Sequence, residues 1–407
     1  LTQGSTDVDV AIVGGGIVGL ASAQRLLEAR PDLRVAIIEK EAELASHQSG
    51  HNSGVVHAGL YYPPGSLKAR LCLDGKAALE AFCEAREIPL QQVGKLVVAL
   101  SDEELPRLEA IHERATANRV PGLEMIGPER IREIEPHAAG IRALWSPTTG
   151  IVDFQRVALA YADDVRKRGG VIETGTAVTG LEEVAEGVVV TAAKGEFVAG
   201  RVVTCAGMWS DRVAALTGDA GSDAPRIVPF RGDYYTLTPD AANLVRGLIY
   251  PVPDPRFPFL GVHFTRRIDG QVWAGPNAVL AFARAGYRRR DISIPDLLGT
   301  LTYPGFLRVA GRYLRTGLAE MWRDFWKPAF LAELRRYVPE LQSDQISFGP
   351  SGVRAQALAR DGTLLDDFDF GGSGRILHVR NAPSPAATSS LAIGSLIADR
   401  VVAQLGQ

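Results

Sequence analysis

The 407-residue chain has little cysteine, no long apolar run and almost no net charge, and each shortage removes a class of protein. Cys72, Cys83 and Cys205 are an odd set of three without metal-ligand spacing, which suits a reducing compartment without structural disulfides. No apolar run approaches the roughly 18–20 residues that span a bilayer, and no leader pattern is visible. With 44 basic against 47 acidic residues the formal net charge is −3, so there is no bulk electrostatic case for nucleic acid. Internal repeats and low-complexity tracts are also missing. Together these shortages predict a cytoplasmic protein. What remains is an ordinary globular balance, 46% hydrophobic and 22% charged, in a chain long enough for two or three domains' worth of core.

The first forty residues carry most of the information. Val8-Asp9-Val10-Ala11-Ile12-Val13 runs into Gly14-Gly15-Gly16-Ile17-Val18-Gly19, a helical pattern follows over 17–29, and Val35-Ala36-Ile37-Ile38 ends at Glu39. Strand, glycine turn, helix, strand and acid in this register form a dinucleotide fingerprint. Gly14 allows the tight turn, Gly16 lets a pyrophosphate approach the backbone, and Gly19 lets the helix lie close on the strand. The helix start offers unpaired N–H groups and partial positive charge to phosphate. Glu39 stands where an acid can accept hydrogen bonds from ribose hydroxyls.

The stretch 46–62 is small, polar and glycine-rich, suited to a backbone that must approach a flat ligand; Ser53 and Gly54 lie in it. From 227 to about 276 the pattern turns β-rich, punctuated by Pro251, Pro253, Pro255 and Pro258. Helical character follows over 306–338, strand character at 344–354 and 375–379, and a closing helix over 389–405. The predicted fold is α/β: a Rossmann-like dinucleotide-binding domain from 1–90, 150–225 and 341–407, with an inserted substrate domain of antiparallel sheet plus helices from 91–149 and 226–340.

Two elements favour FAD over a nicotinamide cofactor. A second strand–turn–helix element passes through Ala206 and Gly207, and the small residues of Asn381-Ala382-Pro383-Ser384-Pro385-Ala386-Ala387-Thr388 open the last helix. Backbone N–H groups at such a start can face the negative charge of a reduced flavin, so Pro385, Ala386, Ala387 and Thr388 join the candidate cofactor residues.

At this point the chain resembles the FAD-dependent oxidoreductases of the D-amino-acid oxidase type and, within them, the branch acting on L-2-hydroxyglutarate. The resemblance runs through 51–62, 202–210, 227–235, 250–265, 275–283, 352–357 and 376–390. Its most specific segments are Pro229-Phe230-Arg231-Gly232-Asp233-Tyr234 and 381–388. It implies oxidation of a small dicarboxylate alcohol at C2, hydride transfer to FAD, and electrons passed to an acceptor such as a membrane quinone. It implies Arg354, in Gly352-Val353-Arg354-Ala355-Gln356, as a carboxylate-binding arginine able to grip through two parallel bonds. It places His57 beside the flavin ring. His57 and His263 compete for the role of base, with His57 slightly ahead. Arg231 and Tyr250 are candidates to complete the substrate anchors.

Rival readings are a glycerol-3-phosphate dehydrogenase-like enzyme, an amino-acid oxidase and a non-catalytic flavin-binding protein. Over 306–338, Trp322, Trp326 and their basic neighbours suit a helix lying in a membrane interface, against a plainer reading in which the aromatic side covers the substrate sheet. Peripheral attachment at the inner face of the cytoplasmic membrane is the corresponding expectation.

Overall fold

The computed structural model describes residues 8–218, 224–254, 261–372 and 374–405, except for the side chains of 314–316, 318–321 and 323–325. Strand Val8–Val13 is flanked in parallel by Gly195–Thr204 and Val35–Ile38. Val171–Glu173 extends one side and Ile376–Asn381 the other, again in parallel. A parallel sheet needs cover on both faces, which is why its central strands are apolar throughout. Helices Ile17–Ala29, Leu67–Ala85, Phe154–Lys167 and Ser390–Leu405 cover one face through Leu20, Leu26, Leu79, Val157, Tyr161 and Ile397. The other face packs Ala11, Val13 and Val202 against Leu181, Val188 and Val190 of the antiparallel strands Val178–Val184 and Gly187–Ala192. The first and last helices nearly touch: a Cβ on Gly394 would fall 2.7 Å from the Ala21 carbonyl oxygen.

Among the described residues the second sheet has nine strands and is antiparallel, as expected, except where Leu248–Pro251 runs parallel to Lys95–Ala99. Its middle runs Arg226–Leu237, Val272–Gly275, His263–Arg266, Leu248–Pro251, Lys95–Ala99 and Arg142–Ser146. One boundary moves. The return to the dinucleotide-binding part was expected at 341, but Ile346–Leu358 pairs along the length of Arg226–Leu237, from Arg226↔Leu358 to Leu237↔Ile346. This strand therefore belongs to the second sheet, and the chain rejoins the first at Asp369–Gly371 and Ile376–Asn381. A separate three-stranded sheet of Val55–Val56, Gly150–Val152 and Leu90–Gln92 packs Val55 and Ile151 on Leu248 and Tyr250 of the second sheet, and Val56 and Val152 into the core of the first.

Helices Pro304–Phe325 and Lys327–Arg335 split between both readings of 306–338. Phe330, Leu331 and Leu334 enter the core of the second sheet, and Phe306 and Val309 pack on Val228 and Leu358. Leu307, Trp322 and Trp326 are instead exposed, as is Leu298 on helix Ile294–Leu301. The side chains of Leu314, Leu318, Met321 and Phe325 lie outside the described residues, as do Pro255 and Pro258. No described helix is long and apolar enough to cross a membrane.

Candidate active site

The glycine turn leaves no room for side chains where the fingerprint requires none. Gly14 has φ +117°, and a Cβ there would fall 2.3 Å from the Cys205 carbonyl oxygen. A Cβ on Gly19 would fall 2.1 Å from the Gly14 carbonyl oxygen. Gly16 is different: its Cβ would meet only Ser49 Oγ, at 3.3 Å, so the space above it is open to a ligand. Ser49, not anticipated from sequence, accepts a hydrogen bond from Ile17 N at 2.9 Å and fastens the 45–59 loop to the helix start. Glu39 is buried, and its two oxygens accept from Gly15 N (2.6 Å) and Glu41 N (2.8 Å). Each oxygen keeps a further lone pair for a hydroxyl. These residues fit a bound dinucleotide: an open glycine, a helix N-terminus and an acid at the end of the second strand.

The remaining cofactor candidates converge on this edge. Gly207, at φ +53°, faces Gln48 of the glycine-rich loop. Gly54, at φ +75°, is packed against the Val152 carbonyl, and Ser53 precedes it, half-buried. Thr388 joins the two ends of the chain: its Oγ1 accepts from His57 N at 3.1 Å and donates to the Val55 carbonyl at 3.4 Å. Ser384 Oγ meets His57 Nε2 at 3.2 Å. The segment containing Pro385, Ala386 and Ala387 therefore lies against the His57 loop, immediately before the last helix.

The second sheet supplies the other wall. His263 stands on His263–Arg266, its ring stacked on Tyr250 with centroids 3.9 Å apart. Its Nδ1 donates to the Gly261 carbonyl at 3.0 Å, so the neutral ring presents Nε2 as an acceptor. Burial, followed by the charges of Lys95 and Arg354, pushes His263 down to about 3. Burial also holds His57 well below the usual histidine range, with Lys95, His263, Lys68 and Arg354 acting in the same direction. Both imidazoles are thus neutral bases rather than cations at pH 7. Arg354 is exposed on its strand, and its charge also acts on Tyr234 and Tyr250. The loop crosses the same strand, since a Cβ on Gly352 would fall 2.9 Å from the His51 carbonyl oxygen.

Arg231 is placed differently. It pairs across strands with Val353, whereas Arg354 pairs with Phe230, so alternation turns the two arginines to opposite faces. Arg231 Nε bonds Asp233 Oδ1 at 2.8 Å, and Arg289 also meets Asp233. His112 and His137 lie beside Glu109 and Glu340. Sequence reading missed Lys95, which is buried at the start of its strand with Nζ 4.1 Å from the Tyr250 ring centroid.

A dinucleotide cradle on a parallel sheet, meeting a largely antiparallel sheet that carries an arginine, a lysine and the neutral His263, with the neutral His57 on the loop between them, defines a flavin-dependent oxidoreductase. The chain belongs to the FAD-dependent oxidoreductase family, whose model matches residues 9–400. It is 51% identical to the mitochondrial L-2-hydroxyglutarate dehydrogenase of Nematostella vectensis, over 98% of this chain and 91% of that protein. Against the human mitochondrial L-2-hydroxyglutarate dehydrogenase it is 49% identical, covering 98% and 89%. Against the L-2-hydroxyglutarate dehydrogenase of the bacterium Indibacter alkaliphilus it is 46% identical, covering 97% and 98%. Among solved structures, the FAD-bound L-α-glycerophosphate oxidase of Mycoplasma pneumoniae superimposes with a TM-score of 0.77 at 22% identity, covering 97% of this chain and 94% of that one. Glycine oxidase from Geobacillus kaustophilus gives 0.71 at 22% identity, covering 97% and 95%. At such identity these two carry the fold alone.

Proposed function

We propose that the protein oxidises L-2-hydroxyglutarate to 2-oxoglutarate as an FAD-dependent dehydrogenase. The observation that carries this reading is identity of about half, over nearly the whole chain, to animal and bacterial proteins of that name. The charge pattern of the site supports it, because a dianionic alcohol needs cationic anchors and a neutral base. When bound, FAD supplies the acceptor for the hydride that leaves C2. Arg354 holds a carboxylate through its planar fork. His263 accepts the hydroxyl proton at Nε2, since its other nitrogen is committed to the Gly261 carbonyl. Tyr250 fixes the plane of that ring by stacking. His57 has Nε2 against Ser384, which favours a polar contact to substrate or flavin over the role of base. Arg231, engaged by Asp233, supports the sheet behind the site.

Electrons leave to a quinone or a comparable acceptor. Exposed Leu298, Leu307, Trp322 and Trp326, with Arg308 and Arg312 on the same helix as Leu307, suit a peripheral contact with a membrane surface.

Anaerobic flavin reduction tests the reaction. L-2-Hydroxyglutarate should bleach the flavin, while D-2-hydroxyglutarate, glycerol 3-phosphate and D-amino acids should leave it oxidised. Bleaching by one of the others instead would replace this reading with the corresponding rival. A flavin left oxidised by the whole panel would favour a non-catalytic flavoprotein.

A further inference from the structure

Lys95 is a buried lysine with no acid beside it among the described residues. It is 1% exposed, and no described residue gives its Nζ a hydrogen bond or an ion pair. Strand alternation sets its direction. Leu96 and Val98 enter the core of the second sheet, whereas Val97 and Ala99 pack against Ala58 and Leu60. Lys95 therefore faces the loop that bears His57 and Tyr61. Its Nζ lies 4.1 Å from the ring centroid of Tyr250 and 5.5 Å from that of Tyr61. The Tyr61 hydroxyl is itself buried, with no hydrogen-bond partner among the described residues. Arg114 Nη1 and Asn118 Nδ2 hold the backbone of this loop by its carbonyls at Tyr61, Gly59 and Tyr62.

Aromatic faces attract a cation without neutralising it. An unpaired buried ammonium is strongly disfavoured, and an anionic ligand would offset that. Burial has drawn Lys95 down to about 7. Lys95 and the unbonded Tyr61 hydroxyl are thus two buried donors on this side of the strand, with no anion beside them among the described residues.

We propose that Lys95 anchors the second carboxylate of the substrate, assisted by the Tyr61 hydroxyl, while Arg354 holds the first, so that the site selects dicarboxylates over monocarboxylate 2-hydroxy acids. This rests on the functional reading above and deepens it. The two cations divide the dianion between them, and the separation of its carboxylates becomes the measured feature.

The test compares holoenzymes of wild type, Lys95→Met and Lys95→Arg on L-2-hydroxyglutarate and on (S)-2-hydroxybutyrate. Lys95→Met should raise KM for the dicarboxylate about 30-fold or more with kcat within a few-fold. Its kcat/KM for the monocarboxylate should be unchanged or improved, and Lys95→Arg should recover part of the loss. Equal losses on both substrates, or a fall in kcat at unchanged KM, would overturn the assignment while leaving the functional reading intact.

A second measurement needs no variant and no turnover. Glutarate and butyrate binding to the wild-type holoenzyme is followed by perturbation of the flavin spectrum between pH 6 and 9. The preference for glutarate should fall as pH rises through about 7, where Lys95 loses its charge. The groups facing it do not titrate in that window: Cys72 is pushed up to about 12, Tyr61 and Tyr250 are raised further, and His57 and His263 are lowered. A preference independent of pH would overturn the proposal even if L-2-hydroxyglutarate proved not to be the substrate.

Discussion

The imidazole of His263 lies on the phenol of Tyr250, with centroids 3.9 Å apart and planes 26° from parallel, while its Nδ1 is held by the Gly261 carbonyl. Stacking fixes the plane and the backbone bond fixes the tautomer, so one lone pair has one direction. Replacing His263 by Asn should lower kcat by about 10²–10⁴-fold, the usual contribution of a positioned general base, with FAD retained. His57→Ala should cost less. Stopped-flow flavin reduction measures both, and a larger loss for His57→Ala would return the role of base to that residue.

Both histidines sit below their unfolded value, so acid acts on stability before it acts on chemistry. The folded state keeps them neutral while the unfolded chain takes up protons below about pH 6.5. Stability should therefore fall as pH drops below that value, by up to about 1.4 kcal/mol per pH unit for each histidine. From pH 7 to 5, kcat/KM measured well below the melting temperature should show no acid limb. Thermal melts and initial rates on the same samples separate the two effects.

Arg354→Met should raise KM for L-2-hydroxyglutarate by 10²-fold or more, as expected on losing about 3 kcal/mol of charge-assisted bonding. Its visible flavin spectrum should match wild type. Unchanged Michaelis behaviour would remove Arg354 from the substrate site.

Gly19→Ala would put a methyl 2.1 Å from the Gly14 carbonyl oxygen, and backbone has to move to admit it. The variant should purify with little bound flavin and a lowered melting temperature. Ser49→Ala, which removes only the bond to Ile17 N, should retain FAD with an affinity weaker by about 1 kcal/mol. Flavin-to-protein absorbance ratios report both.

Trp322→Ser with Trp326→Ser should abolish flotation with anionic vesicles without altering flavin reduction by substrate. Wild-type protein found wholly in the soluble fraction at low salt would count against the membrane contact.

The parts legible in the sequence were the local ones. Val8–Val13, Ile17–Ala29 and Val35–Ile38 announce themselves because each depends on its own periodicity and on glycines a few residues away. The strand Ile346–Leu358 was readable as a strand but not as a member of the second sheet, since its partner lies more than a hundred residues back. Arg231 and Arg354 both stood as substrate anchors in the sequence, and the register shows that they face opposite sides of the sheet. Lys95 escaped notice because a lysine at the head of an apolar strand ordinarily marks a solvated boundary. Ser49 carried no signal, since its partner is the first turn of a helix on the far side of another strand.

The bond from His57 N to Thr388 spans 331 positions of the chain. A nascent polypeptide that has not yet released Thr388 and helix Ser390–Leu405 therefore lacks this closure, and products truncated before Thr388 should accumulate colourless. Flavin capture should then wait until Thr388 has been made and has folded back on the His57 loop.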